Sequence, residues 1–70
     1  MDHVDINSTM IKSAGYEEAT SVLEIAFNRG GLYHYLDVPK ELFQEFLASS
    51  SKGRFFDKNI KDKFKTQKIK

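Results

Sequence analysis

Leu23-Glu24-Ile25-Ala26-Phe27-Asn28-Arg29-Gly30-Gly31-Leu32-Tyr33-His34-Tyr35 sets two short alternating runs on either side of a glycine pair. Leu23, Ile25 and Phe27 alternate with Glu24 and Ala26, a period of two that predicts a strand over residues 21–28. Asn28-Arg29-Gly30-Gly31 is a strong turn signal, and residues 31–38 read as the returning strand. A three-residue loop, Asn28-Arg29-Gly30 with Gly30 at positive φ, pairs Phe27 with Gly31, Ile25 with Tyr33 and Leu23 with Tyr35. One face then carries Leu23, Ile25, Phe27, Tyr33 and Tyr35. The other carries Val22 opposite Leu36, Glu24 opposite His34 and Ala26 opposite Leu32. A two-residue loop would move both tyrosines to the opposite face. The first register is preferred because it gathers the larger apolar set.

Upstream, residues 9–16 read as a first strand anchored by Ile11 and Tyr16, with Gly15 marking a bulge or the approach to a turn. Glu17-Glu18-Ala19-Thr20 connects it to the second strand. Downstream, Pro39 opens a helix where its missing N–H does no harm. Leu42, Phe43, Phe46 and Leu47 form that helix's apolar stripe, and Ser49-Ser50-Ser51 ends it. A second helical stretch is expected after Gly53, with Asp57 as a cap inside it and Phe56, Ile60 and Phe64 recurring every four residues. The expected fold is α+β: a three-stranded antiparallel meander followed by two helices packed on one sheet face. One domain would span residues 9–65, between a flexible leader (1–8) and a loose basic tail (66–70).

A chain of 70 residues buries only about 60% of its unfolded surface and is marginal by nature. Without cysteine it has neither disulfides nor thiolate ligands, so six Phe, three Tyr and the aliphatic residues must supply the stability through packing. The acidic, polar start is unlike a signal peptide, and no apolar run approaches the ~20 residues that span a bilayer. A cytoplasmic setting, with no membrane contact, is expected. Net charge is +1, but residues 1–51 hold three basic and eight acidic residues, whereas residues 52–70 hold eight basic and two acidic ones. A basic end of this kind meets phosphate or an acidic surface, or simply keeps a small protein soluble. Charge does not choose between these.

The run Phe27-x-x-Gly30-x-x-Tyr33-x-Tyr35-x-x-Val38-Pro39, followed by Leu47-Ala48-x-x-Ser51-x-Gly53-x-Phe55-Phe56-x-x-x-Ile60, resembles the KTSC domain. That family is named from a C-terminal segment of some lysyl-tRNA synthetases and also occurs as stand-alone bacterial and phage proteins. The likeness covers roughly residues 8–64. Its Tyr-x-Tyr falls on Tyr33 and Tyr35, and its Ser-x-Gly on Ser51 and Gly53. Phe55 stands where the family often has Tyr, and Asp57 where Asn is typical; an Asp weakens any phosphate contact there. The resemblance implies a fold more directly than an activity, and through the synthetase connection it raises RNA binding.

Tyr33 and Tyr35 have the chemistry to stack unpaired bases, yet their face also holds Leu23, Ile25 and Phe27, which the helices should cover. They are therefore read as core aromatics. His34 points the other way, towards Glu24, a carboxylate that favours the protonated imidazole. No nucleophile or third polar partner accompanies that pair, so a surface His–Glu pair is expected rather than catalysis. His3 is too isolated to propose a metal site, and no cofactor motif or zinc-ligand spacing is present. Lys52, Arg54, Lys58 and Lys61, with help from Arg29, are the candidate phosphate contacts, because Gly53 permits close backbone approach and helix N-termini attract anions. Ser51 and Gly53 equally suit a cap and a tight turn. On the outer sheet face, His34, Leu32 and Leu36 with Val22 and Ala26 form a possible contact surface for a protein partner or self-association, unless Val4 and Ile6 fold over it. The expectation is thus a non-catalytic binding module for RNA or single-stranded nucleic acid, with protein–protein interaction through the outer sheet face or an edge strand as the alternative.

Overall fold

Alternation in the central stretch builds the middle of the sheet, and both chain ends then add to it. In the computed structural model, which describes residues 1–70, five strands lie in sequence order: β1 (His3–Asp5), β2 (Ile11–Glu17), β3 (Val22–Phe27), β4 (Leu32–Tyr35) and β5 (Thr66–Lys68). All neighbouring pairs are antiparallel. Two helices, α1 (Lys40–Ala48) and α2 (Lys52–Asn59), intervene between β4 and β5.

The hairpin register is the expected one, with Leu23 opposite Tyr35, Glu24 opposite His34, Ile25 opposite Tyr33 and Ala26 opposite Leu32. The Gly30 amide donates to the Phe27 carbonyl at 3.0 Å and the Phe27 amide to the Gly31 carbonyl at 3.1 Å. Gly30 sits at φ 101°, where a Cβ would be strained, so the glycine fixes the loop and through it the register.

The sheet departs from the three-strand expectation at both edges. Residues expected as a leader supply β1, where His3 pairs with Gly15 and Asp5 with Ser13. Residues expected as a loose tail supply β5, where Lys68 pairs with Tyr33 and Thr66 with Tyr35. Each edge strand has three exposed residues, too few for a readable alternation, and pairing with an already ordered neighbour is what defines it. Gly15 likewise marks neither bulge nor turn. A Cβ there would lie 2.8 Å from the Asp2 carbonyl oxygen and from His3 Cδ2, so the glycine makes room for the chain crossing β2. The register shift of β2 falls instead between Ile11 and Ser13.

Helix α1 begins one residue later than the sequence implied, with Pro39 as its N-cap in extended geometry. Helix α2 starts before Gly53, capped by Ser51, and ends at Asn59. Asp57 is therefore interior to the helix rather than a cap. Phe64 follows a turn in which Asp62 has φ 61°, so the four-residue recurrence outlives the helix.

The core lies between the helices and the inner sheet face. Ile11, Ala14, Leu23, Ile25, Val38, Phe46 and Ile60 are fully buried, and Ile6, Tyr35 and Phe56 nearly so. Each large apolar side chain buried in this way stabilises by about 1.5–3 kcal/mol. Tyr16 stacks on Phe43 with centroids 5.3 Å apart, and its hydroxyl donates to the Val38 carbonyl at 2.6 Å, tying β2 to the entry of α1. Neither helix is long and apolar enough to cross a membrane.

Candidate functional site

Two open clefts lie along the seam between α2 and the loops at one end of the sheet. The first, of about 330 Å³, is lined by Met10, Phe27, Tyr33, Tyr35 and Phe56, with Arg29, Gly30, Asp57 and Lys61 completing it. Its aromatic wall is one connected chain. Phe27 meets Tyr33 edge to face at 5.5 Å, Phe27 meets Phe56 at 5.5 Å, and Phe56 meets Tyr35 at 5.5 Å. Such pairs add about 0.5–1.5 kcal/mol each beyond burial and hold the rings in place.

Tyr33 and Tyr35, expected to behave alike, have different settings. Tyr35 is 5% exposed, and burial first, then the neighbouring Tyr33 and Asp62, push its phenol up to about 12. Tyr33 packs against the core but is only half-buried. Strand alternation gives both the same face, yet Tyr33 stands further out along it, near the Gly30 loop. Lys68, opposite Tyr33 in the β4–β5 register, brings a further cation to that face. Three exposed residues of edge strand carry no alternation that would place Lys68 there from sequence.

The second cleft, of about 410 Å³, is polar and is lined by residues 7–10, Ser50, Ser51, Lys52, Gly53, Arg54 and Asp57. Met10 and Asp57 line both clefts, so the two adjoin. Gly53 faces Ser8 Oγ and Met10 Cε, and a Cβ there would meet both at 3.6 Å, ordinary contact; crowding does not demand glycine. Ser51 holds the N-cap position without a side-chain cap bond. Its amide donates to Ser49 Oγ at 3.2 Å, and Lys52 Nζ donates to the Ser49 carbonyl at 2.9 Å.

Of the expected basic residues, Arg29, Lys52, Arg54 and Lys61 line the two adjoining clefts, whereas Lys58 lines neither. Sequence separation hid that Met10 borders both clefts and that Arg29 and Lys61 line the same one. No ion pair engages Arg29, Arg54, Lys61 or Asp57, since the ion pairs join Lys40 to Glu18 and Glu24 to His3 and His34.

The outer sheet face is organised differently. Glu24 Oε1 accepts from His34 Nε2 at 2.7 Å, as expected, while Oε2 bonds His3 Nε2. His3 Nδ1 lies 2.7 Å from Ser13 Oγ. The expectation that His3 stands isolated is corrected, because β1 delivers it across Gly15 to Glu24. Burial opposes the Glu24 charge, but the hydrogen bonds from His3 and His34, and their charges, outweigh it and hold the carboxyl below its ordinary 4.5. These three side chains do not form a metal-holding group. Leu32 and Leu36 flank them half-buried, and Ile6 joins the core instead of covering this face.

The model of the KTSC domain matches residues 7–64. The crystal structure of a KTSC domain protein from Yersinia pestis superposes with a TM-score of 0.96 at 43% identity, covering 99% of this chain and 97% of that one. A protein of Tsukamurella paurometabola is 38% identical over 60 residues, 86% of this chain and 90% of its own length. A lysine–tRNA ligase of Nostoc punctiforme is 38% identical over 61 residues, which is 87% of this chain but 11% of that protein.

Proposed function

The chain belongs to the KTSC domain family, and we propose that it is a non-catalytic module that binds single-stranded RNA along the two adjoining clefts. The observation that carries this reading is the convergence of cations with no carboxylate partner on an aromatic wall half-exposed at Tyr33 and Phe27: Arg29 and Lys61 beside those rings, continued by Arg54 and by Lys52, whose Nζ donates to the Ser49 carbonyl. Single-strand binding combines a positive groove that tracks phosphates with aromatic faces that receive bases. The likeness to part of a lysine–tRNA ligase points to the same class of ligand. The outer sheet face supports a binding role less well, since its central charges, Glu24 with His3 and His34, already satisfy one another.

Fluorescence anisotropy with a labelled single-stranded RNA, repeated across a salt series, tests the reading. Log affinity should fall linearly with log salt, by about 0.7 for each phosphate neutralised. Arg29→Ala and Lys61→Ala should each weaken binding and make that slope shallower by about the same amount. No detectable binding at low salt, or binding indifferent to salt, overturns the proposal.

A further inference from the structure

Asp57 is the anomaly of the basic strip. It sits where both clefts meet, exposed on α2, and pairs with none of the cations round it. A carboxylate repels phosphate and welcomes hydrogen-bond donors, so a base that meets it favourably does so through its N–H groups. An ionised carboxylate is acceptor-only, with two oxygens able to take two parallel hydrogen bonds. On the same cleft, Arg29 and Lys61 are donor-only, and Tyr33 and Phe27 offer ring surface. The cleft therefore presents an aromatic wall of rings set edge to face, a paired acceptor and separate cationic donors.

Among the bases, guanine complements that set. Its Watson–Crick edge carries two adjacent donors, N1–H and the 2-amino group, that match one carboxylate. Its O6 and N7 acceptors suit Arg or Lys. Adenine, cytosine and uracil each place an acceptor beside any donor on that edge, which a carboxylate rejects. A cleft of about 330 Å³ lies at the small end of ligand pockets, enough for one splayed base rather than a stacked run. Recognition of unpaired bases through stacking and Watson–Crick edges is the usual route to sequence preference in RNA. Resting on the RNA reading above, we infer that the first cleft selects a single unpaired guanine, with Asp57 as the specificity-determining residue.

The test uses the full chain and labelled hexauridine strands carrying one central guanosine, inosine, adenosine or uridine. The guanosine strand should bind about tenfold more tightly than the adenosine and uridine strands. Inosine, which lacks only the 2-amino group, should fall between. Asp57→Asn should bring guanosine and inosine together and reduce the guanosine preference to about twofold or less, while tightening the uridine strand by removing a negative charge; circular dichroism confirms its fold. Equal affinity of the wild type for all four strands, or an unchanged preference in Asp57→Asn, overturns the guanine assignment and leaves the RNA reading standing. Guanosine 5′-monophosphate should compete only weakly. Competition equal to that of the strand would keep the guanine assignment and overturn the strand as its ligand. Failure of every strand to bind at low salt overturns both.

Discussion

Glu24 shows how one side chain can link chain segments far apart in sequence. Its two oxygens bond His34 on the adjacent strand and His3 on an edge strand, so the folded state binds its proton less readily than the unfolded chain does. A depressed carboxyl stabilises the fold above the unfolded value and loses that contribution as pH falls through the lower folded value. Relative to the wild type, Glu24→Gln should therefore be less stable at pH 6, and the difference should shrink as pH drops below about 4.5. Urea unfolding of both proteins at pH 6 and pH 3 measures this, and an offset that does not change with pH would refute it. The His34 half of the arrangement was readable because a hairpin register aligns residues across a short loop. The His3 half was not, since three residues of edge strand carry no periodic signal and Gly15 reveals its purpose only once β1 lies across it.

At the scale of elements, α2 is what joins the core to the clefts. One face drives Phe56 against both Phe27 and Tyr35, and its exposed side presents Arg54 and Asp57 to the clefts. Phe56→Ala should cost about 3–5 kcal/mol, a large share of the ~5–15 kcal/mol by which small domains are stable. Phe56→Leu should cost less while still removing the two edge-to-face contacts. Thermal or urea unfolding ranks the pair; a near-neutral Phe56→Ala would mean that α2 is not docked through this ring. The apolar spacing of Phe56 and Ile60 foretold the buried side of the helix. Its boundaries were harder to read, because the same spacing runs on to Phe64 after the backbone has left helical geometry at Ile60.

Over the whole molecule, the charge imbalance between residues 1–51 and 52–70 becomes a spatial one only in part. Arg29, from the acidic portion, meets Lys61 at the first cleft, while Lys58 stays apart from both clefts. A linear tally of charge thus located the basic segment but not the wall it would work with, which needs β3, β4 and α2 assembled. The order of strands has a further consequence, for the way the protein breathes. β3 is hydrogen-bonded on both sides and holds Leu23 and Ile25 out of solvent, whereas β1 and β5 are short, exposed and paired on one side only. Amide deuterium exchange should therefore proceed inward from the rims, with Leu23 and Ile25 released only by global opening. Lys68 opposes Tyr33 on one such rim, so an occupied cleft should register as slowed exchange at the neighbouring Ile69 amide, which donates to the Leu32 carbonyl at 2.7 Å. The least protected strand would then be the most sensitive reporter of a bound ligand.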